Sequence, residues 1–211
     1  MTEAAIARYP APPVIRAADV GAKVILVWML LGAVIDPEGT NLQDKAAEAR
    51  AIGYPMLAFA VPAIWLWAWK DRASFPWLAD LMITITCFSD ILGNRMDLYD
   101  RIVWFDDLMH FVNTGLIAGA VVLLTLHRST GLLRVIERAL AVGATGAIAW
   151  ELAEYVAFIR GGTEREFAYT DTLGDLTLGV LGSLVTALVI HALWQRGRLA
   201  ATAPQLERAS V

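Results

Sequence analysis

WFDDLMHFVNTGLIAGAVVLLTL, residues 104–126, is the stretch whose reading decides the fold. It opens with two carboxylates, Asp106 and Asp107, adds an imidazole at His110, and then runs without charge to Leu126. An apolar run of this length matches a bilayer core of ~30 Å, which takes about 20 helical residues to cross. Asp106 and His110 are four apart, so on a helix they share one face. Ionisable groups at the edge of a membrane span are costly, which makes them functional candidates.

The rest of the chain repeats the pattern. Of 211 residues 57% are hydrophobic and only 18% charged, and the mean hydropathy is +0.54; soluble domains carry about 25% charge. Apolar runs are expected as spans at about 17–35, 52–69, 77–93, 107–126, 135–158 and 172–194. The fold class that follows is all-α: a polytopic helical membrane protein of about six transmembrane helices. A tail over 1–16, where Pro10, Pro12 and Pro13 oppose regular structure, precedes a single transmembrane domain at 17–195, and a second tail covers 196–211. Residues 1–14 have no apolar core of the signal-peptide kind, so the first span is expected to act as an uncleaved insertion signal. Asp19 and Lys23 sit at the edge of that span, and residues 42–50 read as a short surface helix.

Other features fit packing or the membrane interface. Trp65, Trp67 and Trp69 cluster near one end of the second span, as an interfacial belt does. Gly115 and Gly119 are four apart, the small-residue spacing that lets helix backbones approach closely in lipid. Ser89 beside Asp90 reads as a backbone-bonding serine. The single Cys87 lies in an apolar run, so no disulfide framework exists. A net charge of −4 leaves no general basic footprint, and no nucleic-acid partner is expected.

Six spans put both termini on one side. Eleven of the 17 Lys and Arg residues fall on that side, so the positive-inside rule makes the termini cytoplasmic. The opposite, outer face then receives four helix ends bearing acidic groups: Asp90, the Asp106–Asp107–His110 start, Glu151 with Glu154, and Asp171 with Asp175. Pairs three or four apart occupy single helical faces. Helix-dipole capping accounts for Asp106, Asp107 and Asp171. It does not account for Glu151 and Glu154 near a helix C-terminus, or for Asp175 more than a turn inside its span.

DDLMHF (106–111), WELAE (150–154) and DTLGDL (171–176) together resemble motifs of the VanZ-like and YjdF-like families of small bacterial membrane proteins. The resemblance covers about residues 90–188 and implies a bacterial cytoplasmic-membrane protein. It carries Asp106 and His110 onto the first motif, Glu151 and Glu154 onto the second, and Asp171 and Asp175 onto the third. One branch of those families is linked to glycopeptide-antibiotic resistance. Two positions depart: Asp107 stands where Lys or Arg is frequent, and Gly179 where Asn or Asp is usual.

The residues support three functional classes. The first is a metal-assisted enzyme acting on a lipid-linked or phosphorylated envelope substrate. In it Asp106, His110, Glu151, Glu154, Asp171 and Asp175 hold a divalent metal of the Mg²⁺, Mn²⁺, Ca²⁺ or Fe²⁺ kind. Asp106, His110 and Glu151 are its catalytic groups, while Arg95, Arg101 and Asp107 meet substrate. The second is a non-catalytic membrane protein that binds a lipid or antibiotic-like ligand, or assembles with other membrane proteins. The third is an ion- or proton-coupled transporter, against which inner-half polar residues look sparse.

Overall fold

The computed structural model describes residues 12–43, 45–71, 73–157 and 168–203. Helices are the only regular structure among them: α1 (Pro13–Ile35), α2 (Ala47–Ala58), α3 (Ala60–Ile64), a π-helical turn (Trp65–Trp69), α4 (Trp77–Arg95), α5 (Leu98–Arg101), α6 (Phe105–Thr125), α7 (Leu132–Ala157) and α8 (Ala168–Gln195). The chain is all-α, as its apolar periodicity requires.

α1, α6 and α8 are long and apolar enough to cross a membrane, and α2 with the Ala60–Trp69 segment adds a fourth if that bent pair is one span. α4 and α7, 19 and 26 residues long, have the length as well. Charged residues lower their apolarity, and of these Asp80, Asp90 and Glu151 are buried. Six rods thus occupy the places where six spans were expected, although apolarity alone marks only three or four of them. Val24, Trp28 and Leu31 on α1, and Leu181, Val185 and Val189 on α8, are exposed, as side chains facing lipid would be.

Sequence position explains the helix ends. Pro10 lies outside the described residues, while Pro12 and Pro13, read as opposing structure, instead start α1, with Pro12 at its N-cap and Pro13 in its first turn. A proline there lacks only an N–H that would have no helical partner, and its φ is already helical. Among the described residues before α2, Gln43, Lys45 and Ala46 form turns rather than the expected surface helix, with Asn41 and Ala46 at positive φ, and α2 begins only at Ala47. α2 and the Ala60–Trp69 segment are bent by 41°. Pro62 can neither donate to the Ala58 carbonyl nor fit against it, which breaks the ladder at Phe59. The ladder then widens to a π turn, in which the Lys70 N–H donates to the Trp65 carbonyl over 2.8 Å.

Two halves pack through α4 and α6: α1, α2 and α4 on one side, α6, α7 and α8 on the other. The first half buries Leu26, Met29, Leu30, Tyr54, Cys87 and Ile91 together. The second buries Val122, Leu123, Val135, Ile190 and Trp194, with Ile83 of α4 packed into the same cluster. α6 and α8 form the largest interface, and glycines make it possible. A Cβ on Gly115 would stand 2.8 Å from the Gly182 carbonyl oxygen, and one on Gly182 would collide with the Phe111 carbonyl. Gly115 and Gly119 therefore pack as expected of small residues in lipid. Asp19 and Lys23 do not sit at an exposed edge: they are 1% and 9% exposed and turn inward against α4.

Candidate functional site

α6 presents Asp106 and His110 from its first turns, and α7 and α8 bring acidic residues to the same imidazole. His110 is 7% exposed. Its Nε2 lies 3.4 Å from Asp106 Oδ1 and 3.7 Å from Asp175 Oδ1, and its Nδ1 lies 3.6 Å from Glu151 Oε1. Each ring nitrogen thus faces carboxylate, Asp106 and Asp175 on one side and Glu151 on the other, and Glu154 lies close to His110 and Glu151. The separations exceed the 2.7–3.2 Å of an N–H···O hydrogen bond, so the groups surround the ring without closing on it.

Carboxyl groups outnumber bases here: Asp106, Glu151, Glu154 and Asp175 surround the single imidazole of His110. Thr172 Oγ1 donates to Glu151 Oε2 over 3.0 Å, but the buried Glu151 Oε1 has no hydrogen-bond partner. Donors bound to one ion at about 2.0–2.6 Å must lie within about 5 Å of each other. Among the described residues two sets meet that limit, Asp106–His110–Asp175 and His110–Glu151–Glu154, each with its ligand atoms within 4.8 Å. Mixed carboxylate and imidazole donors suit a hard or borderline divalent cation.

A cavity of about 390 Å³ opens beside the cluster, with Asp106, His110 and Glu154 on its wall. It continues over Met109, Ile117, Leu57, Val142 and Trp150. A mostly apolar pocket with a few convergent polar groups is the form small-molecule sites take, and the volume is in their range of about 300–1,000 Å³.

Not every expected site residue arrives. Asp171 lies one turn before Asp175, is exposed and belongs to neither donor set. Asp107 and Arg101 are exposed, and Arg95 stacks its guanidinium 5.1 Å from the centre of the Trp28 ring. None of these three lines the cavity. The connector over residues 158–167, including Arg160 and Arg165, lies outside the described residues. Ser89 donates its one hydroxyl proton to the Thr86 carbonyl at 3.1 Å or to Asn113 Oδ1 at 3.0 Å, the first being the bond of a backbone-bonding serine.

The structure adds a polar network on the cavity's other wall. Arg50 Nε donates to Asp90 Oδ2 over 2.9 Å, the Tyr54 hydroxyl donates to the same oxygen, and the Tyr99 hydroxyl donates to Oδ1 over 3.2 Å. Arg50 also reaches the Lys45 carbonyl. Asp90 is therefore neutralised and held, whereas the carboxylates around His110 are not. A signal for this network exists in the sequence: Arg50 and Tyr54 are four apart at the entry to a span, where a buried arginine calls for a carboxylate. Nothing in that spacing says which carboxylate answers.

An all-helical chain with apolar, lipid-length helices and acidic groups buried between them is what a membrane-protein family would show. The family described as "Predicted membrane protein (DUF2238)" matches residues 20–196. The chain belongs to that family. The DUF2238 match contains every residue of the His110 cluster and of the Arg50–Asp90 network, and the description states a membrane location without naming a reaction. No curated protein and no solved structure matches the chain.

Proposed function

We propose that this protein is a metal-assisted enzyme of the bacterial cytoplasmic membrane, acting on a lipid-linked or phosphorylated envelope substrate at the outer face. The reading takes six crossings with both termini in the cytoplasm, which puts the His110 cluster on the outer side. It keeps the likeness of the three acidic motifs to VanZ-like and YjdF-like proteins.

The observation that carries it is the surplus of carboxylates around one histidine, at the mouth of an apolar cavity. Asp106, Asp175, Glu151 and Glu154 are the metal ligands together with His110. Asp106, His110 and Glu151 stand nearest the reacting atoms. A divalent ion bound there would activate water or clamp a phosphoryl oxygen. His110 orients the set because its two nitrogens face different carboxylates. Glu151, held through Oε2 by Thr172, keeps Oε1 available to a ligand or to a proton. The cavity lining contains no Lys or Arg among the described residues. An anionic head group would therefore be held through the ion rather than by Arg95 or Arg101. Membrane lipids are the immediate surroundings, and the apolar walls suit a lipid chain.

Those walls also favour the second reading, a non-catalytic protein that binds a lipid or antibiotic-like ligand. Metal analysis of detergent-purified protein separates the two. Wild type is expected to hold stoichiometric metal and His110→Ala to lose it. A wild type without metal, with a lipid bound in the cavity, would replace the enzyme reading by the binding one.

A further inference from the structure

A second buried charged cluster lies away from the His110 site, between α1 and α4. Lys23 Nζ is 2.8 Å from Asp19 Oδ1 and 2.9 Å from Asp80 Oδ2, and it also donates to Thr84 Oγ1. Asp19 and Asp80 are each 1% exposed and Thr84 is fully buried. The Phe59 ring closes the cluster from the bend after α2, its centre 5.8 Å from Nζ. Asp80 is in the first turn of α4, ten residues before Asp90 on the cavity wall. That is about 15 Å along the helix, so the cluster lies toward the opposite end of the bundle.

Two carboxylates share one ammonium here, so the cluster is one positive charge short. Lys23 Nζ donates to Asp19 Oδ1 and Thr84 Oγ1, and it forms an ion pair but no hydrogen bond with Asp80. Thr84 spends its own hydroxyl proton on the Asp80 carbonyl, 2.9 Å away, or on Asp19 Oδ1 at 3.3 Å. Asp80 Oδ1 is buried and has no hydrogen-bond partner, and Oδ2 lies beside the ammonium without hydrogen-bond alignment. A packed structural ion pair needs one carboxylate per ammonium. The extra one, buried and directed at the ammonium, is costly unless something positive joins it. Charged groups inside membrane helices mark ion or proton sites for that reason.

We propose that the Asp19–Lys23–Asp80 cluster is a second ion-binding site, which takes up one monovalent cation, a proton or Na⁺, per chain. The ion settles on Asp80 Oδ1 and balances the cluster, with Lys23 holding the two carboxylates apart and Thr84 orienting Asp19. The site is independent of the divalent-metal reading at His110, sharing no residue with it. It also supplies the inner-half charge that the sequence alone made look sparse.

The test uses the full chain in lipid nanodiscs, as wild type, Asp80→Asn and Asp19→Asn. Infrared spectroscopy reads a buried carboxylic-acid C=O band, and equilibrium dialysis with ²²Na⁺ reads sodium. Wild type is expected to show the acid band or to bind one Na⁺ per chain, and the two assays distinguish the ions. Asp80→Asn leaves Lys23 with one carboxylate and is expected to abolish whichever signal is present. Tryptophan fluorescence checks its folding, and Asp19→Asn, which also restores one-to-one charge, takes its place if it fails to fold. A wild type with neither signal overturns the proposal, as does a folded Asp80→Asn that keeps the wild-type signal.

Discussion

Replacing Arg50 by Met tests how the cavity wall is held. Arg50 is 8% exposed and joins α2 to Asp90 on α4. The substitution keeps most of the aliphatic volume and removes the charge, leaving Asp90 with only the Tyr54 and Tyr99 hydroxyls and Asn94. Stranding one member of a buried ion pair costs about 3–5 kcal/mol. Loss of the bond to the Lys45 carbonyl adds about 1 kcal/mol. Asp90→Leu alone takes the carboxylate from Arg50, which keeps the Tyr54 hydroxyl and the Lys45 carbonyl, and is expected to cost less. In the double variant the charge penalty disappears while the Lys45 bond stays lost, leaving a deficit of about 1–2 kcal/mol. The double-mutant cycle should therefore return a coupling of at least about 2 kcal/mol. Reversible unfolding in mixed micelles, followed by tryptophan fluorescence, measures each corner. A coupling under about 0.5 kcal/mol would refute the assignment of Arg50 as the partner that makes Asp90 tolerable, and the division of the cavity into a neutralised and an unbalanced wall would fall with it.

Glu151→Gln removes one charge from a cluster with a surplus, so metal-free protein is expected to be as stable as wild type or slightly more so. Its metal affinity should fall at least tenfold, by about 1.4 kcal/mol, read by competition with a chromogenic chelator. Gly182→Val drives a branched side chain into the Phe111 carbonyl, and overpacking of this kind costs about 1–3 kcal/mol; a lowered thermal midpoint is expected, and an unchanged one would contradict the close α6–α8 contact. Outside the spans, hydrogen bonds from Lys45 and Asn41 hold the Asp97 carboxyl below its ordinary value. A depressed carboxylate stabilises the fold above its unfolded value and loses that contribution as pH falls. The difference in thermal midpoint between wild type and Asp97→Asn should accordingly shrink below about pH 4.

Helix positions were legible because apolar length depends on neighbours in sequence. The sixth span, expected at about 172–194, forms over Ala168–Gln195, and the fourth, expected at about 107–126, over Phe105–Thr125. The meeting of Glu151 and Asp175 at His110 was legible for a related reason: spacing fixes a helical face, and the alternation of spans fixes which helix ends share a side. Tertiary choices were not legible. Asp19 and Lys23 look like edge charges in one helix, and only the approach of α4 makes them partners of Asp80. Arg95 read as a head-group ligand, yet its long stem reaches the face of Trp28, a contact between helices 67 positions apart in the chain. Helical periodicity says which way a residue faces, not which helix it meets.

The glycine seam between α6 and α8 has a mechanical consequence for the chemistry. Gly115 and Gly119 meet Gly182 and Thr186 about one and a half to three turns deeper in the bundle than His110 and Asp175. Interlocked backbones cannot slide without collision, so the seam works as a vernier, setting the gap between imidazole and carboxylate from a distance. A shift of one residue along either helix is about 1.5 Å, enough to carry Asp175 out of reach of any ion held at His110. The tolerances of the site are thus written into residues that have no side chain with which to take part in it.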